Sequence, residues 1–303
     1  MEEQLGEACL NGKVEEVIKL LQNSQININW QLEYSRTPFY IACQYGHIEV
    51  VKLLISDKRV DINKAKNDGA TPFYIVCFKG YLEIVKILLK DERIDINKTQ
   101  REGGTPFYIA CQEGHTEIVK LLLTDNRVNI NKAMNTGETP FLIACCFGQV
   151  EIVKLLSNDQ RVDINKATNE GTTPFYLACF EGRTEIVKLL LNNERVDINK
   201  ARNNGWTPFY IACFQGQIEI VKYMLVCGRE IDINKKFNNT KTPLDISKQR
   251  STSTQKFNWE TEEEFQKVKR NCPKIVKLIE IAQRNHNETK LKKELAICKY
   301  FIN

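Results

Sequence analysis

The residues able to do chemistry are few, or else regularly spaced. His47 and His115 each follow a glycine, and His286 stands alone near the C-terminus. A hydrolytic triad needs a histidine placed with a serine or cysteine and an acid, and a zinc protease needs H-E-x-x-H on a helix; neither these nor G-x-S-x-G or a dinucleotide fingerprint occurs. Eleven cysteines are present, but Cys9, Cys43, Cys77, Cys111, Cys145, Cys179 and Cys213 recur every 34 residues. A recurring thiol marks one position of a repeating frame, small and buried, and not a ligand set. Cys146, Cys227, Cys272 and Cys298 lie off this ladder with no C-x-x-C pair or histidine cluster, so zinc is not expected. Gly6, Gly12 and Lys13 approach a phosphate loop, but the spacing is one residue too long and Val14 stands where Ser or Thr must hold magnesium. The many aspartates are repeat positions as well. No catalytic residue, metal or cofactor is expected, and the chain is read as no enzyme.

The frame carrying these positions begins at Thr37-Pro38-Phe39-Tyr40-Ile41-Ala42-Cys43 and returns at Thr71, Thr105, Thr139, Thr173 and Thr207, with a weaker copy at Thr242. Threonine at N-cap accepts from orphan backbone N–H groups, and proline at the first helical position lacks a donor that the helix could not use there. Gly46, Gly80, Gly114, Gly148, Gly182 and Gly216 come nine residues after each threonine and end the helix. A second helix is predicted by apolar spacing such as Ile48, Val50, Val51, Leu53 and Leu54. Val60-Asp61-Ile62-Asn63 and its copies alternate β-branched with polar residues, predicting an extended connector before a tight turn at Gly69 and its equivalents. A fixed period of this size means one supersecondary unit stacked on itself.

Charge says where such an array does not bind. The net charge is +5, yet residues 1–249 balance 31 basic against 31 acidic side chains, leaving 12 against 7 beyond. Nucleic acid, which needs a basic stripe, is therefore not expected on the repeats. No apolar run reaches the roughly 18 residues of a membrane helix, and the acidic Met1-Glu2-Glu3-Gln4 start is unlike a secretory signal. A cytoplasmic monomer, nuclear entry allowed, is the expectation.

Helix, glycine, helix and loop, with T-P-F-Y-I-A-C in place of T-P-L-H-x-A-A, resemble the ankyrin repeat over about residues 1–249. The departures are systematic: phenylalanine for leucine, tyrosine for histidine, and one extra residue before Asp-Ile-Asn. The resemblance implies an all-α solenoid of stacked antiparallel helix pairs with hairpin-like loops. Residues 1–30 read as an N-terminal capping repeat and 31–235 as six repeats. Residues 236–303 read as a divergent last repeat with about 20 inserted residues, because Ile275-Val276-Lys277-Leu278 arrives that much later than the period requires. Within the insertion, Trp259 to Phe265 is predicted as a short helix capped by Asn258. Leu291, Leu295, Cys298 and Ile302 predict a final amphipathic helix flanked by Lys290, Lys292 and Lys293. The family is also known for hydroxylation of a loop asparagine, and Asn63, Asn97, Asn131, Asn165, Asn199 and Asn234 match that position; a role in holding the turn is the preferred reading.

Stacked repeats expose the same few positions along one concave face, and in ankyrin arrays these are the loop tips and the end of the first helix. The tips carry Arg36, Glu138 and Trp206, and the helix ends carry Tyr45, Phe78, Phe147, Phe180 and Phe214. Aromatics dominate interface energetics, and the frame does not require them here. These eight residues are the expected binding site for another protein, centred on repeats four to six, with no small-molecule substrate. The basic tail offers the alternative of a membrane-surface or anionic-polymer contact.

Overall fold

The computed structural model describes residues 1–238 and 240–284. The architecture is an all-α repeat array: sixteen α-helices and no strand among the described residues, with one isolated antiparallel bridge between Phe237 and Lys241. The expected amphipathic helix around Leu291 and Leu295, and His286, lie outside the described residues. The chain divides into two compact units, Met1–Ile143 and Ala144–Asn303.

In the first unit, the first helices α1 (Glu2–Leu10), α3 (Pro38–Tyr45), α5 (Pro72–Lys79) and α7 (Pro106–Glu113) alternate with the second helices α2 (Val14–Leu21), α4 (Ile48–Ser56), α6 (Leu82–Leu89) and α8 (Thr116–Leu123). First helices pack in succession, α1 on α3, α3 on α5 and α5 on α7, and each packs on its own second helix. Each start is built as its residues require: Thr37, Thr71 and Thr105 accept from the N–H three residues on at 3.0–3.1 Å. At the stop, Gly46 takes the left-handed conformation with φ 76°, and a Cβ there would also press on the Tyr81 ring of the following helix pair. Phe39, Phe73 and Phe107 are buried with Cys9, Cys43, Cys77 and Cys111. Each ring contributes on the order of 2–3 kcal/mol by burial.

The connector differs from the predicted extended stretch. Asp61 to Lys64 form a turn, in which the Asn63 N–H donates to Asp61 Oδ1 (3.0 Å) and the Lys64 N–H to the Asp61 carbonyl (3.3 Å). Aspartate bonds its own backbone two residues on, so it can close a turn while Val60 and Ile62 both remain buried. Alternation here reports burial and not a strand. The hairpin-like loop comes next, closed by Lys66 N–H to the Ala70 carbonyl (3.0 Å), and successive tips join through backbone bonds such as Arg101 N–H to the Asp68 carbonyl (2.8 Å).

In the second unit the same frame gives α10 (Val150–Asn158), α11 (Pro174–Phe180), α12 (Thr184–Leu191), α13 (Pro208–Phe214) and α14 (Ile218–Val226) after the helix α9 (Pro140–Phe147). Then the frame changes. α15 (Pro243–Thr252) opens with a capping box between Thr242 and Asp245, and the inserted residues lead into α16 (Glu262–Arg284). The predicted short helix from Trp259 is corrected: Asn258 does not cap it. Thr261 and Glu264 form a reciprocal capping box, Glu264 N–H to Thr261 Oγ1 at 3.2 Å and Thr261 N–H to Glu264 Oε2 at 2.8 Å, and this pair of caps sets the start. The helix then runs through Pro273 without a break, so the inserted helix and the second helix of the last repeat are one element of 23 residues.

Candidate interaction surface

The repeating polar residues hold the stack together. His47 and His115 set a ring nitrogen 2.8 Å from the Leu10 and Phe78 carbonyls at the ends of the preceding first helices. In the second unit Arg183 Nε donates to the Cys146 carbonyl (2.8 Å) and Gln217 to the Phe180 carbonyl (3.3 Å) from the same repeat position. A place filled equally by histidine, arginine or glutamine selects a donor and not a proton carrier.

Asparagine bridges the connectors. Asn63 Oδ1 accepts from the Asp95 N–H (2.8 Å) while its Nδ2 donates to the Arg93 carbonyl (2.7 Å). Asn29, Asn97, Asn165 and Asn199 repeat this pattern. A set of arginines with no place in the sequence motifs adds a clip. Arg93 pairs with Asp91 (2.6 Å) and donates to the Ile55 and Val60 carbonyls at 2.9 and 3.2 Å, thereby joining two repeats. The Arg93 guanidinium holds the Asp91 carboxyl down at about 2. The recurrence of Asp-x-Arg at Asp57, Asp91, Asp125 and Asp159 was the available signal. Burial pushes the ladder thiols up, Cys9 to about 12 and Cys43 and Cys111 further, which leaves them un-ionised and inert.

The eight expected partner-binding residues fall into three environments. Tyr45, Phe78 and Phe147 are exposed, by 46%, 36% and 50%, at the ends of their first helices. Arg36, Glu138, Phe180 and Trp206 are half-buried. Arg36 donates to Gln44 (3.3 Å) and to the Glu33 carbonyl (3.2 Å), and Glu138 accepts from Thr136 (2.6 Å). Phe214 is buried, 4% exposed.

Phe214 is covered by residues of the insertion, which carry no repeat signal. Phe257 packs on Phe214 at 5.5 Å and stacks on Trp259 at 4.6 Å, while Trp206 fits among Tyr210, Phe214 and Phe237 at 5.1–5.6 Å. Above Phe214, at 4.8 Å, lies the guanidinium of Arg250, itself buried and paired with buried Glu260. Glu260 also accepts from the Phe257 N–H (2.8 Å), so this ion pair pins the covering segment.

In the first unit, a groove of about 530 Å³ opens between α1 and the stretch 30–36. Gly6, Leu10, Trp30, Leu32 and Ile41 give it a mainly apolar lining, and Glu3, Glu7, Glu33 and Arg36 stand around them. Leu32 packs closely on Gly6, and its side chain would have to shift to admit a Cβ there. The loop beside it is strained, with Tyr34 and Ser35 both at φ 59°, and Ser35 stands where later repeats place glycine.

The family model described as ankyrin repeats matches in three copies, over residues 5–100, 92–168 and 158–237. Among curated proteins the same kind of comparison finds no match. Among the described residues, no helix is long and apolar enough to cross a membrane.

Proposed function

Because the chain belongs to the ankyrin-repeat family, whose arrays are generally protein–protein interaction modules and typically non-enzymatic, we propose that it is a scaffold or adaptor that binds another protein through the ends of its first helices. One observation carries this reading. Tyr45 and Phe78 lie exposed on successive repeats of the first unit, while the frame aromatics beside them, such as Phe39 and Phe73, are buried. Large rings left in water at neighbouring repeat positions are the residue type on which interfaces concentrate their energy. Phe147 offers a ring of the same kind in the second unit. Phe214, expected at the centre, enters this surface only if the covering segment is displaced.

The test is capture of a partner by the full chain compared with the double variant Tyr45→Ala, Phe78→Ala. The double variant should lose at least about tenfold in affinity for a partner that wild type retains, equivalent to about 1.4 kcal/mol. Unchanged capture by a folded double variant would place the binding surface elsewhere.

A further inference from the structure

We propose that the groove beside α1 receives a lysine- or arginine-bearing segment of a partner protein, with the aliphatic stem on Leu10, Leu32 and Ile41 and the cationic head among Glu3, Glu7 and Glu33. This goes beyond the proposed function by naming a further subsite and the chemistry of its occupant, and shares with it only the premise of a protein partner.

Three observations lead there. The first is shape and surface: the lining is mainly apolar, and Leu10 and Trp30 leave apolar area in water beside carboxylates. Long cationic side chains match such a border, because they lay an apolar stem along apolar surface and keep the charged head at a polar edge. A purely apolar occupant would dehydrate the three carboxylates without compensating them.

The second is unspent charge. On α4, α6 and α8 the glutamate of the first turn is neutralised on its own helix, Glu49 by Lys52, Glu83 by Lys86 and Glu117 by Lys120, each at 2.7 Å. Glu3, Glu7 and Glu33 form no ion pair among the described residues. The cation in the lining is Arg36, and its guanidinium is committed to Gln44, to the Glu33 carbonyl and to the Tyr34 ring 5.6 Å away.

The third is the local sign of the field. The first 30 residues carry five glutamates against two lysines in a chain whose net charge is +5. A basic segment is therefore attracted by this groove and not by the molecule as a whole, and charge complementarity of this kind confers specificity.

The full chain would be titrated with a fluorescein-labelled peptide of alternating arginine and leucine, read by anisotropy. Peptides alternating glutamate with leucine, and arginine with serine, serve as comparisons. The arginine–leucine peptide should bind, the glutamate–leucine peptide should not, and arginine–serine should bind several-fold more weakly, as about 0.8 kcal/mol per buried methylene implies. The triple variant Glu3→Gln, Glu7→Gln, Glu33→Gln should lose at least about tenfold, equivalent to about 1.4 kcal/mol. Its circular dichroism and melting should match wild type, because all three side chains are exposed.

Absence of peptide binding by wild type, equal binding by the folded triple variant, or equal binding of the acidic peptide overturns the proposal. So does a dimer seen in sedimentation that the triple variant dissolves, for then the groove belongs to a second copy. If partner capture still depends on Tyr45 and Phe78 while the peptide fails, only the groove is wrong. If the peptide binds but partner capture ignores those rings, only the aromatic surface is.

Discussion

Phe78 and Phe214 occupy the same repeat position, seven residues after the capping threonine, in the first and second units. Phe78 lies at the surface with the Lys79 ammonium 5.3 Å from its ring, and its carbonyl is tied to His115. Phe214 lies under Phe257 and the Arg250 guanidinium. The capping threonine, proline and stop glycine recur at both rings, so the difference arises in what packs on them: Trp206 of the loop tip, Arg250 of α15 and Phe257 of the inserted chain. Residues 253–261 lay a covering segment on one ring, and among the described residues no such segment covers the other. A repeat position therefore fixes where a side chain points, while its neighbours outside the frame decide whether it is interface or core.

The comparison is broken most strongly at the ion pair. Arg250→Ala leaves Glu260 as an uncompensated buried carboxylate and should cost about 3–5 kcal/mol, measured by urea denaturation of the full chain. Replacing both partners, Arg250→Met with Glu260→Leu, should recover most of that loss, because a buried pair contributes little beyond an apolar pair of similar volume. A double variant as damaged as the single one would mean that the cover depends on the charge itself. Phe214→Ala should cost on the same order, about 3–4 kcal/mol, through the cavity left among Trp206, Phe257 and Arg250.

How much of this was legible in the sequence differs between the same two regions. In the first unit the period located the capping threonines, the left-handed glycines and the buried Phe39, Phe73 and Phe107, because each is demanded by the local geometry of a stacked helix pair. The connector departs from the expected extended stretch, since Val60 and Ile62 alternate for burial while Asp61 bends the chain. The Asp-x-Arg clips are visible only as a recurrence, because a guanidinium reaching back more than 30 residues leaves no local signature. In the second unit Phe257 and Glu260 have no counterpart at any period, so nothing in the frame announced that Phe214 would be covered. The groove of the first unit escaped for a similar reason: α1 and the stretch 30–36 belong to the atypical first repeat.

A smaller effect is expected from the asparagine bridge. Asn63→Ala leaves the Asp95 N–H and the Arg93 carbonyl without their partner and should cost about 1–3 kcal/mol, read as a shift in the denaturation midpoint. Asn63→Asp keeps the acceptor and removes the donor, so it should fall between wild type and alanine. Equal stability of all three would show that water replaces the bridge at no cost.

The clip gives a pH dependence smaller still. The Asp91 carboxyl is held at about 2 in the folded state, chiefly by hydrogen bonding to Arg93, against about 4 for an unfolded aspartate. A depressed folded value means that the contribution is fully present above about pH 4 and disappears as pH falls through about 2. Asp91→Asn should therefore flatten the stability profile of the full chain between about pH 4 and pH 2 and lower it near neutrality. An Asp91→Asn profile parallel to wild type over that window would remove the clip as a stabilising contact.

The smallest expected change in stability is the one that bears most directly on function. Phe78→Ala removes a ring that already lies partly in water, so it should cost about 1 kcal/mol, although the chemically identical change at Phe214 creates a cavity. Tyr45→Ala, at a position 46% exposed, should behave in the same way. The measurement is therefore double: melting of each variant, and capture of a partner by it. Near-wild-type melting with capture reduced at least about tenfold is the expected pair of results. A Phe78→Ala variant that melts as early as Phe214→Ala would show that this ring supports the stack, and the contrast between the two units would then carry no functional meaning.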